Sequence, residues 1–275
     1  MGLLKLTAEN YYSEEANWAY MSTSQFKSFM KCEASALAEL KGEWNRKDST
    51  ALIVGSYVDA HFSGEKEQFI AEHPEIYTKS GTLRAEFQNA EKAIARLEAD
   101  DLARMLLKGK NQVIKTVKIN GVWFKAKFDS LLTAKQVEAI CKKFPEVNQL
   151  VPFGGSMIVD LKYMKNFEPI WDDEEKELKN FIQYWGYDIQ GAIYQYADKR
   201  NAPFVIVGVT KEDEPDITAR YIPDDELAYC LALVKENAPR YAAIKRGEIE
   251  PIGCGVCPYC KSHKKLQSIS HYMEL

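Results

Sequence analysis

Two stretches of the chain carry acidic and basic side chains that neighbouring β-strands would bring together. The stretch Val122–Asp129 alternates apolar and polar residues, and its polar side ends in the carboxylate of Asp129. The stretch Met157–Met164 is apolar except for Asp160 and Lys162, which alternation places on the same side of a strand. If these two strands are adjacent, two carboxylates and one ammonium group meet at a single site.

The pair Asp160–Lys162 alone has a simple alternative explanation, which is an ion pair at a solvent-facing strand end. Asp129 makes that alternative weaker, because two carboxylates on adjacent strands repel each other unless a cation lies between them. Carboxylate oxygens suit Mg²⁺ or Mn²⁺, and such an ion can activate water and stabilise charge on a phosphate. Lys162 would orient or deprotonate the water. Deprotonation requires a large fall from the usual lysine pKa of ~10.4, so electrostatic stabilisation is favoured.

A second chemically active group lies near the C-terminus, where three cysteines occur within seven residues: Cys254, Cys257 and Cys260. Three thiolates at this spacing can share one metal ion or one iron–sulfur cluster, and each arrangement needs a fourth ligand. The sequence offers His263 nearby or Cys32 far upstream. Reduced free thiols are the third alternative. Cys141 and Cys230 lie in apolar, helical surroundings and are expected in the core.

A basic stretch between residues 104 and 128 contains seven Lys or Arg residues and no Asp or Glu. The whole chain carries a net charge of −4, which argues weakly against broad nucleic-acid affinity, but local charge can still attract a polyanion. The stretch is either a solvated strand face or a surface for a phosphate backbone. The second interpretation selects one set of hairpin residues as nucleic-acid contacts: Lys115, Lys118, Trp123, Lys125 and Lys127.

The hydrophobic periodicity predicts the framework that positions these residues. Helices are expected over about 22–40, 83–107, 135–144 and 173–200, and again from residue 223, with an interruption at Pro239. Strands are expected over 112–119, 122–129, 157–164 and 204–210, and Asn120-Gly121 predicts a type I′ turn. This order of elements implies an α/β (α+β-like) fold, with a mixed central β-sheet flanked by helices.

The size and composition of the chain are those of a globular protein. It has 275 residues, of which 46% are hydrophobic, and no repeat or linker-like tract divides it. A single domain over residues 1–275 is therefore expected. No apolar run approaches the ~20 residues that span a bilayer, and the first residues lack the apolar core of a signal peptide. These observations predict a cytoplasmic protein without a membrane partner.

Asp129, followed by Asp160-Leu161-Lys162 on the next predicted strand, resembles the motif of the PD-(D/E)xK nucleases. The resemblance implies a restriction-endonuclease-like core in which both acids and the carbonyl of Leu161 hold a metal ion. It also implies that Lys162 is the catalytic lysine. The proline that usually precedes the first acid is absent, and Phe128 stands in its place. Many RecB-like members also lack this proline.

Two further motifs are similar to those of RecB-like nucleases. Gln190 and Tyr194 match a Q-x-x-x-Y signature, which implies a place beside the metal; the alternative is an amphipathic helix with amides on its wet side. RecB-like nucleases commonly carry G-x-x-x-H with His as a metal ligand, but here Asp59 occupies the matching position after Gly55. His61 follows two residues later. Residues two apart face different ways on a helix, so only one should reach the metal, and Asp59 is favoured as an oxygen ligand.

The cysteines also resemble a layout found in several RecB-like nucleases, which have one N-terminal cysteine and three near the C-terminus. That resemblance implies that Cys32 joins the three C-terminal cysteines as ligands of a structural [4Fe-4S] cluster. The N-terminal helix would then pack against the Cys-rich segment at about 250–265. Zn²⁺ is the alternative occupant, with His263 as its fourth ligand.

From about residue 20 to residue 263, the order of the motifs is similar to that of RecE-type phage exonucleases (exodeoxyribonuclease VIII-like). The resemblance implies a metal-dependent exonuclease that acts at double-stranded DNA ends in phage-type recombination, encoded by a bacterium or a phage. A single-strand annealing protein is the implied partner, and a homo-oligomer is compatible with it. A structure-specific endonuclease is one alternative. A non-catalytic nucleic-acid-binding module is another, which the intact acids disfavour.

Overall fold

The computed structural model describes residues 3–44, 50–149, 155–173, 175–199, 202–265, 269 and 273, without the side chain of residue 51. Its α-helices are α1 Glu14–Ala19, α2 Thr23–Lys31, α3 Glu33–Leu40, α4 Thr50–Ser63, α5 Lys66–Glu72, α6 Ala85–Ala99, α7 Asp101–Leu106, α8 Ala134–Lys143, α9 Phe181–Trp185, α10 Tyr187–Asp198, α11 Asp224–Lys245 and α12 Pro258–Ser262. Its strands are β1 Met21–Ser22, β2 Lys110–Ile119, β3 Val122–Leu132, β4 Met157–Met164, β5 Ile170–Asp172, β6 Glu177–Lys179, β7 Phe204–Thr210 and β8 Ile217–Ile222.

The central sheet is mixed and carries the two acidic strands side by side. Its strand order is β1-β3-β4-β7-β8, with β2 paired to the other edge of β3. The β1/β3 and β4/β7 pairs are parallel, and the remaining pairs of this sheet are antiparallel. One buried cluster joins the sheet to α2, α10 and α11, and the other joins it to α4, α6 and α8. The predicted α/β fold with a mixed central sheet is confirmed.

The β2–β3 hairpin explains why α11 is not interrupted at Pro239. The hairpin turns at Asn120 and Gly121 with φ values of 42° and 85°, as a type I′ turn requires. A proline inside a helix leaves the carbonyl four residues earlier without its N–H partner. Here that carbonyl belongs to Lys235, and the Asn120 side chain donates to it at 2.8 Å. The predicted interruption is wrong, because a distant side chain replaces the missing donor.

Two predicted helices are each divided by a residue that caps the second half. The backbone of Cys32 is extended (φ −165°, ψ 108°), and its sulfur accepts from the N–H of Ser35 at the start of α3. Asp100 separates α6 from α7 in the same way and accepts from the N–H of Ala103 at 2.9 Å. Such caps satisfy donors that the first turn of a helix leaves free.

The predicted helix over 173–200 is wrong at its start, because the helical residues begin at Phe181. Residues Ile170–Asp172 and Glu177–Lys179 form the two-stranded sheet β5–β6 instead. Lys179 holds the acidic turn together through ion pairs with Asp172 at 2.9 Å and Glu175 at 2.6 Å. Acidic residues that looked like a helix N-terminus therefore surround a lysine in a hairpin.

A left-handed residue starts the helix that does form in this region. Gly186 has φ +62° and ends α9 before α10 begins. A Cβ atom at this position would lie 2.8 Å from Cδ of Lys27, so glycine serves both the turn and the close approach.

Among the described residues, no helix is both long and apolar enough to cross a membrane.

Candidate active site

A cleft of about 780 Å³ opens between the N-terminal region and the central sheet. Elements far apart in sequence line it, including the segment before α1, helices α2, α4 and α10, and strands β3 and β4. Several predicted site residues are among its lining residues: Asp59, Lys125, Lys127, Asp129, Asp160, Lys162, Gln190 and Tyr194. The structure therefore brings most of the predicted catalytic and metal-binding residues into one cavity.

Strand pairing places the two predicted aspartates side by side. The β3/β4 ladder pairs Ser130 with Val159, so its continuation sets Asp129 beside Asp160. The Oδ2 atom of Asp129 accepts a hydrogen bond from the N–H of Leu161 at 3.0 Å. The carbonyl of Leu161, predicted as a metal ligand, accepts from Nζ of Lys162 at 3.3 Å.

Asp160 is a buried carboxylate whose two oxygens have different surroundings. The residue is only 1% exposed. Its Oδ1 atom accepts a hydrogen bond from Nε2 of Gln190 at 2.6 Å. Its Oδ2 atom contacts the Lys162 ammonium in an ion pair, but no described residue donates a hydrogen bond of regular geometry to it. A buried carboxylate oxygen that accepts no regular hydrogen bond is a suitable ligand for a cation.

Burial and neighbouring charge raise the pKa of two cleft aspartates, Asp129 and Asp59. Burial is the main cause that places the pKa of Asp129 well above its usual value, and the charges of Asp160 and Asp59 raise it further. Burial also raises the pKa of Asp59 to about 7, where Lys162 opposes and Asp160 adds to the increase. Carboxylates that repel one another in a cleft are the expected ligands of Mg²⁺ or Mn²⁺, so these residues fit a divalent ion.

Two lysines lie close to the aspartates, and one of them was not anticipated from the sequence. Burial lowers the pKa of Lys162, but Asp160 and Asp129 outweigh it and raise the pKa overall, which favours the ammonium form. Lys27 on α2 also lines the cleft, and its Nζ donates to the carbonyl of Trp185 at 2.9 Å. The two ammonium groups lie 5.4 Å and 5.1 Å from the same Tyr187 ring. No local sequence pattern distinguishes Lys27 from other surface lysines on a helix.

The predicted Gln190–Tyr194 pair joins the aspartates to the core. Both side chains are buried, and Tyr194 hydrogen-bonds with Gln190, which in turn donates to Asp160. The Tyr194 ring packs against Phe128, with ring centroids 4.9 Å apart. This packing fixes the helix position from which Gln190 reaches the carboxylate.

The structure separates the two alternative ligands on α4. Asp59 lines the cleft and interacts electrostatically with Asp129, Asp160 and Lys162. His61 instead pairs through Nε2 with Glu98 of α6 at 2.7 Å. His61 is therefore directed toward α6 and does not line the cleft, which leaves Asp59 as the α4 residue placed beside the other aspartates.

The predicted nucleic-acid contacts on the hairpin are divided between four environments. Lys125 is 1% exposed and donates to the carbonyl of Tyr11 and to Asn17, so it anchors the N-terminal segment. Cross-strand partners share a face, and Lys115 pairs with Ala126, whose face is buried. Lys115 thus lies on the opposite side of the sheet from the cleft. Lys125 is therefore bonded within the fold, and Lys115 lies away from the cleft aspartates.

The remaining basic residues stay accessible. Lys127 lines the cleft, with its Nζ 4.6 Å from the ring of the exposed Tyr12. Lys118 and Trp123 lie together at the far end of the hairpin, where Nζ is 6.0 Å from the indole ring. A strand rises about 3.3 Å per residue, which places Trp123 roughly 20 Å from Asp129. Of Lys118, Trp123 and Lys127, only Lys127 lines the cleft.

Outside the cleft, four thiol groups converge from both ends of the chain. The Sγ atoms of Cys32, Cys254, Cys257 and Cys260 all lie within 4.8 Å of one another. His263, the alternative fourth ligand, instead contacts the Tyr259 carbonyl at 2.9 Å, and its ring lies 4.2 Å from the Tyr259 ring. The structure groups Cys32, and not His263, with the three C-terminal cysteines.

The comparisons with known proteins agree with this geometry. Residues 22–142 and 150–263 match the family described as "PDDEXK-like domain of unknown function (DUF3799)". The crystal structure of a "Putative exonuclease" from Eubacterium rectale has 38% sequence identity and a TM-score of 0.82, covering 98% of this chain and 97% of that one. No curated protein matches the chain significantly. The fold is that of a PDDEXK-like nuclease, and the chain belongs to the PDDEXK-like family DUF3799.

Proposed function

We propose that this protein is a metal-dependent deoxyribonuclease that hydrolyses phosphodiester bonds from DNA ends. The observation that carries the proposal is the convergence of Asp59, Asp129 and Asp160 with Lys162 in one cleft. Mutually repelling carboxylates and an adjacent ammonium group suit a site that takes a divalent cation and a phosphate together. Membership of a PDDEXK-like family supports the same chemistry.

Each residue of the cleft has a distinct part in this proposal. Asp59, Asp129 and Asp160 would hold Mg²⁺ or Mn²⁺, with the carbonyl of Leu161 as a further ligand. The ion would supply Lewis acidity for hydrolysis. Lys162 would donate a hydrogen bond to the phosphate or orient the attacking water, which requires no loss of its proton.

Gln190 and Tyr194 would act as positioning residues. Gln190 occupies Oδ1 of Asp160 through its 2.6 Å hydrogen bond, so the cation would bind at Oδ2, which the Lys162 ammonium contacts. Tyr194 holds Gln190 in place from the core side of α10. A fixed carboxylate binds an ion more tightly than one that must first be ordered.

DNA is the substrate we favour, and exonuclease action is the mode. The cleft carries Lys27, Lys127 and Lys162 beside the aspartates, so it combines metal ligands with cations for a phosphate backbone. The related structure from Eubacterium rectale carries the name "Putative exonuclease", which supports action at ends over cleavage within a strand. A RecE-type role in phage recombination, with an annealing partner or a homo-oligomer, stays a prediction.

The test uses linear double-stranded DNA and covalently closed circular DNA of the same sequence, incubated with Mg²⁺ or Mn²⁺. We expect loss of the linear molecule only, accompanied by release of nucleotides or short oligonucleotides. Nicking of the circle would instead identify a structure-specific endonuclease. DNA binding without cleavage of either form would identify a non-catalytic binding module.

The matched control is Asp129→Asn, prepared in parallel, with binding measured in Ca²⁺. This variant should bind linear DNA but not degrade it, because the amide keeps the size of the side chain and removes a ligand charge. Degradation at the wild-type rate by Asp129→Asn would refute the assignment of the site.

A further inference from the structure

The four-cysteine site lies where the first and last parts of the folded chain meet. Cys32 is the capping residue between α2 and α3, and Cys260 lies in α12. Beside it, Glu33 forms a two-point ion pair with Arg240 of α11 at 2.6 Å and 2.8 Å. The same carboxylate accepts from the N–H of Ile252 at 2.8 Å. Contacts from three regions of the chain therefore surround the thiols and fix their separation.

The spacing of the sulfur atoms is informative about what they can hold. The Sγ atoms of Cys32 and Cys260 are 3.6 Å apart, and all four sulfurs lie within 4.8 Å of one another. A tetrahedral Zn²⁺ ion with Zn–S bonds of about 2.3 Å requires S–S separations of about 3.8 Å. The sulfur separations of this site therefore fit tetrahedral coordination of a single ion.

A [4Fe-4S] cluster requires a wider arrangement. In such a cluster each cysteine binds a different iron, so the metal core adds its own width between any two thiolates. The four sulfur atoms would therefore have to lie much farther apart than they do in this structure.

Backbone N–H groups also point at the sulfurs in a pattern that suits thiolates. Cys32 accepts from Ser35 at 3.5 Å and from Cys254 at 3.4 Å. The N–H of Cys257 donates to Cys254 at 3.3 Å, and that of Cys260 donates to Cys257 at 3.4 Å. Such bonds are stronger to a charged acceptor, and they orient each sulfur toward a shared centre.

We propose that Cys32, Cys254, Cys257 and Cys260 bind one tetrahedral metal ion, with Zn²⁺ as the favoured ion, and not a [4Fe-4S] cluster. Four thiolates complete the coordination shell, so the site is closed and structural. The ion joins the start of α3 to α12 and thereby holds the C-terminal segment against the N-terminal helices. This inference is independent of the proposed nuclease activity.

The test measures the metal content of the full-length protein, expressed in medium supplemented with both iron and zinc and purified without oxygen. We expect one zinc per chain, no acid-labile sulfide and no brown colour. Exchange of zinc for Co²⁺ should produce the visible absorption of tetrahedral, thiolate-bound cobalt. Iron and sulfide near four per chain would overturn the proposal, and so would a metal-free protein with four reactive thiols.

Cysteine variants place the ion at this site. Cys254→Ser alters the most exposed ligand and should lower zinc occupancy at least tenfold under a competing chelator. Cys141→Ser, a cysteine outside the site, should keep one zinc per chain, as should His263→Ala. Loss of zinc in His263→Ala would refute the four-thiolate shell and support a site with histidine. Full occupancy in Cys254→Ser would also refute it.

Discussion

Replacement of Asp59 by asparagine should stabilise the protein at alkaline pH when divalent cations are absent. Burial raises the pKa of this carboxyl group to about 7, with Asp160 adding and Lys162 opposing. In the unfolded chain the value is ~3.9. At a pH between these two values the unfolded state binds fewer protons than the folded state. The free energy of unfolding therefore falls as pH rises through this range. Above pH 7 the folded state carries the full free-energy cost of the charged Asp59 carboxylate.

The size of the effect follows from the change in pKa. A difference of about three pKa units corresponds to ~4 kcal/mol at pH 8. This figure is an upper limit, because Asp59 is partly exposed and solvent screens its charge. Asparagine removes the repulsion from Asp160 but also the attraction to Lys162. We therefore expect Asp59→Asn to increase the free energy of unfolding by about 1–3 kcal/mol at pH 8.

Urea unfolding in EDTA at pH 8 and pH 4.5 measures this difference. Most of the gain should disappear at pH 4.5, where the wild-type carboxyl group is largely protonated in the folded state. Addition of Mn²⁺ at pH 8 should stabilise the wild type more than the variant, because an ion that binds only the folded state adds to its stability. The cation thus reverses the order of stability.

Asp213→Asn is the matched control, since this aspartate is 92% exposed and remote from the cleft aspartates in the fold. It should change neither the pH dependence nor the response to Mn²⁺. The reasoning would be refuted if Asp59→Asn lost the same stability at both pH values and responded to Mn²⁺ as the wild type does. Asp59 would then be an ordinary structural carboxylate.

Three further predictions concern the cleft and the sheet. Lys162→Met should lower the cleavage rate roughly 100-fold while DNA binding in Ca²⁺ changes little, since the lysine acts on the reacting phosphate; nuclease and binding assays check this. Gln190→Leu removes the donor to Asp160 and should weaken Mn²⁺ binding roughly 10- to 100-fold by calorimetry. Gly109→Ala sets a Cβ atom 2.7 Å from the backbone of β3 and should cost ~2 kcal/mol or more in urea unfolding. Gly55→Ala, which meets nothing within 4 Å, should not destabilise.

The parts of the fold that were predicted correctly are those specified by local patterns. Alternation identifies β2, β3 and β4, and the Asn120-Gly121 pair determines the hairpin turn, because side-chain direction in a strand depends only on position along it. The same alternation places Asp160 and Lys162 on one side of β4. The acidic core of the site was therefore readable before any strand pairing was known.

The errors occurred where a distant residue supplies a missing partner. Helix α11 continues through Pro239 because Asn120 bonds to the freed carbonyl. Lys125 has the spacing of a wet strand residue, but the N-terminal segment covers it and accepts its hydrogen bonds. Ile170–Asp172 and Glu177–Lys179 form a two-stranded sheet where the predicted helix was to begin. Each outcome depends on contacts that hydrophobic periodicity does not represent.

The sequence by itself determined which residues have the chemistry, namely the aspartates, the lysine after them and the cysteines at ligand spacing. Only the tertiary structure decided which of them meet. It placed Asp59 in the cleft and turned His61 of α4 toward Glu98 of α6, added Lys27 beside Lys162, and joined Cys32 to cysteines more than 220 residues away. The physical reason is that local spacing sets the direction of a side chain, whereas its neighbours depend on how the whole chain packs.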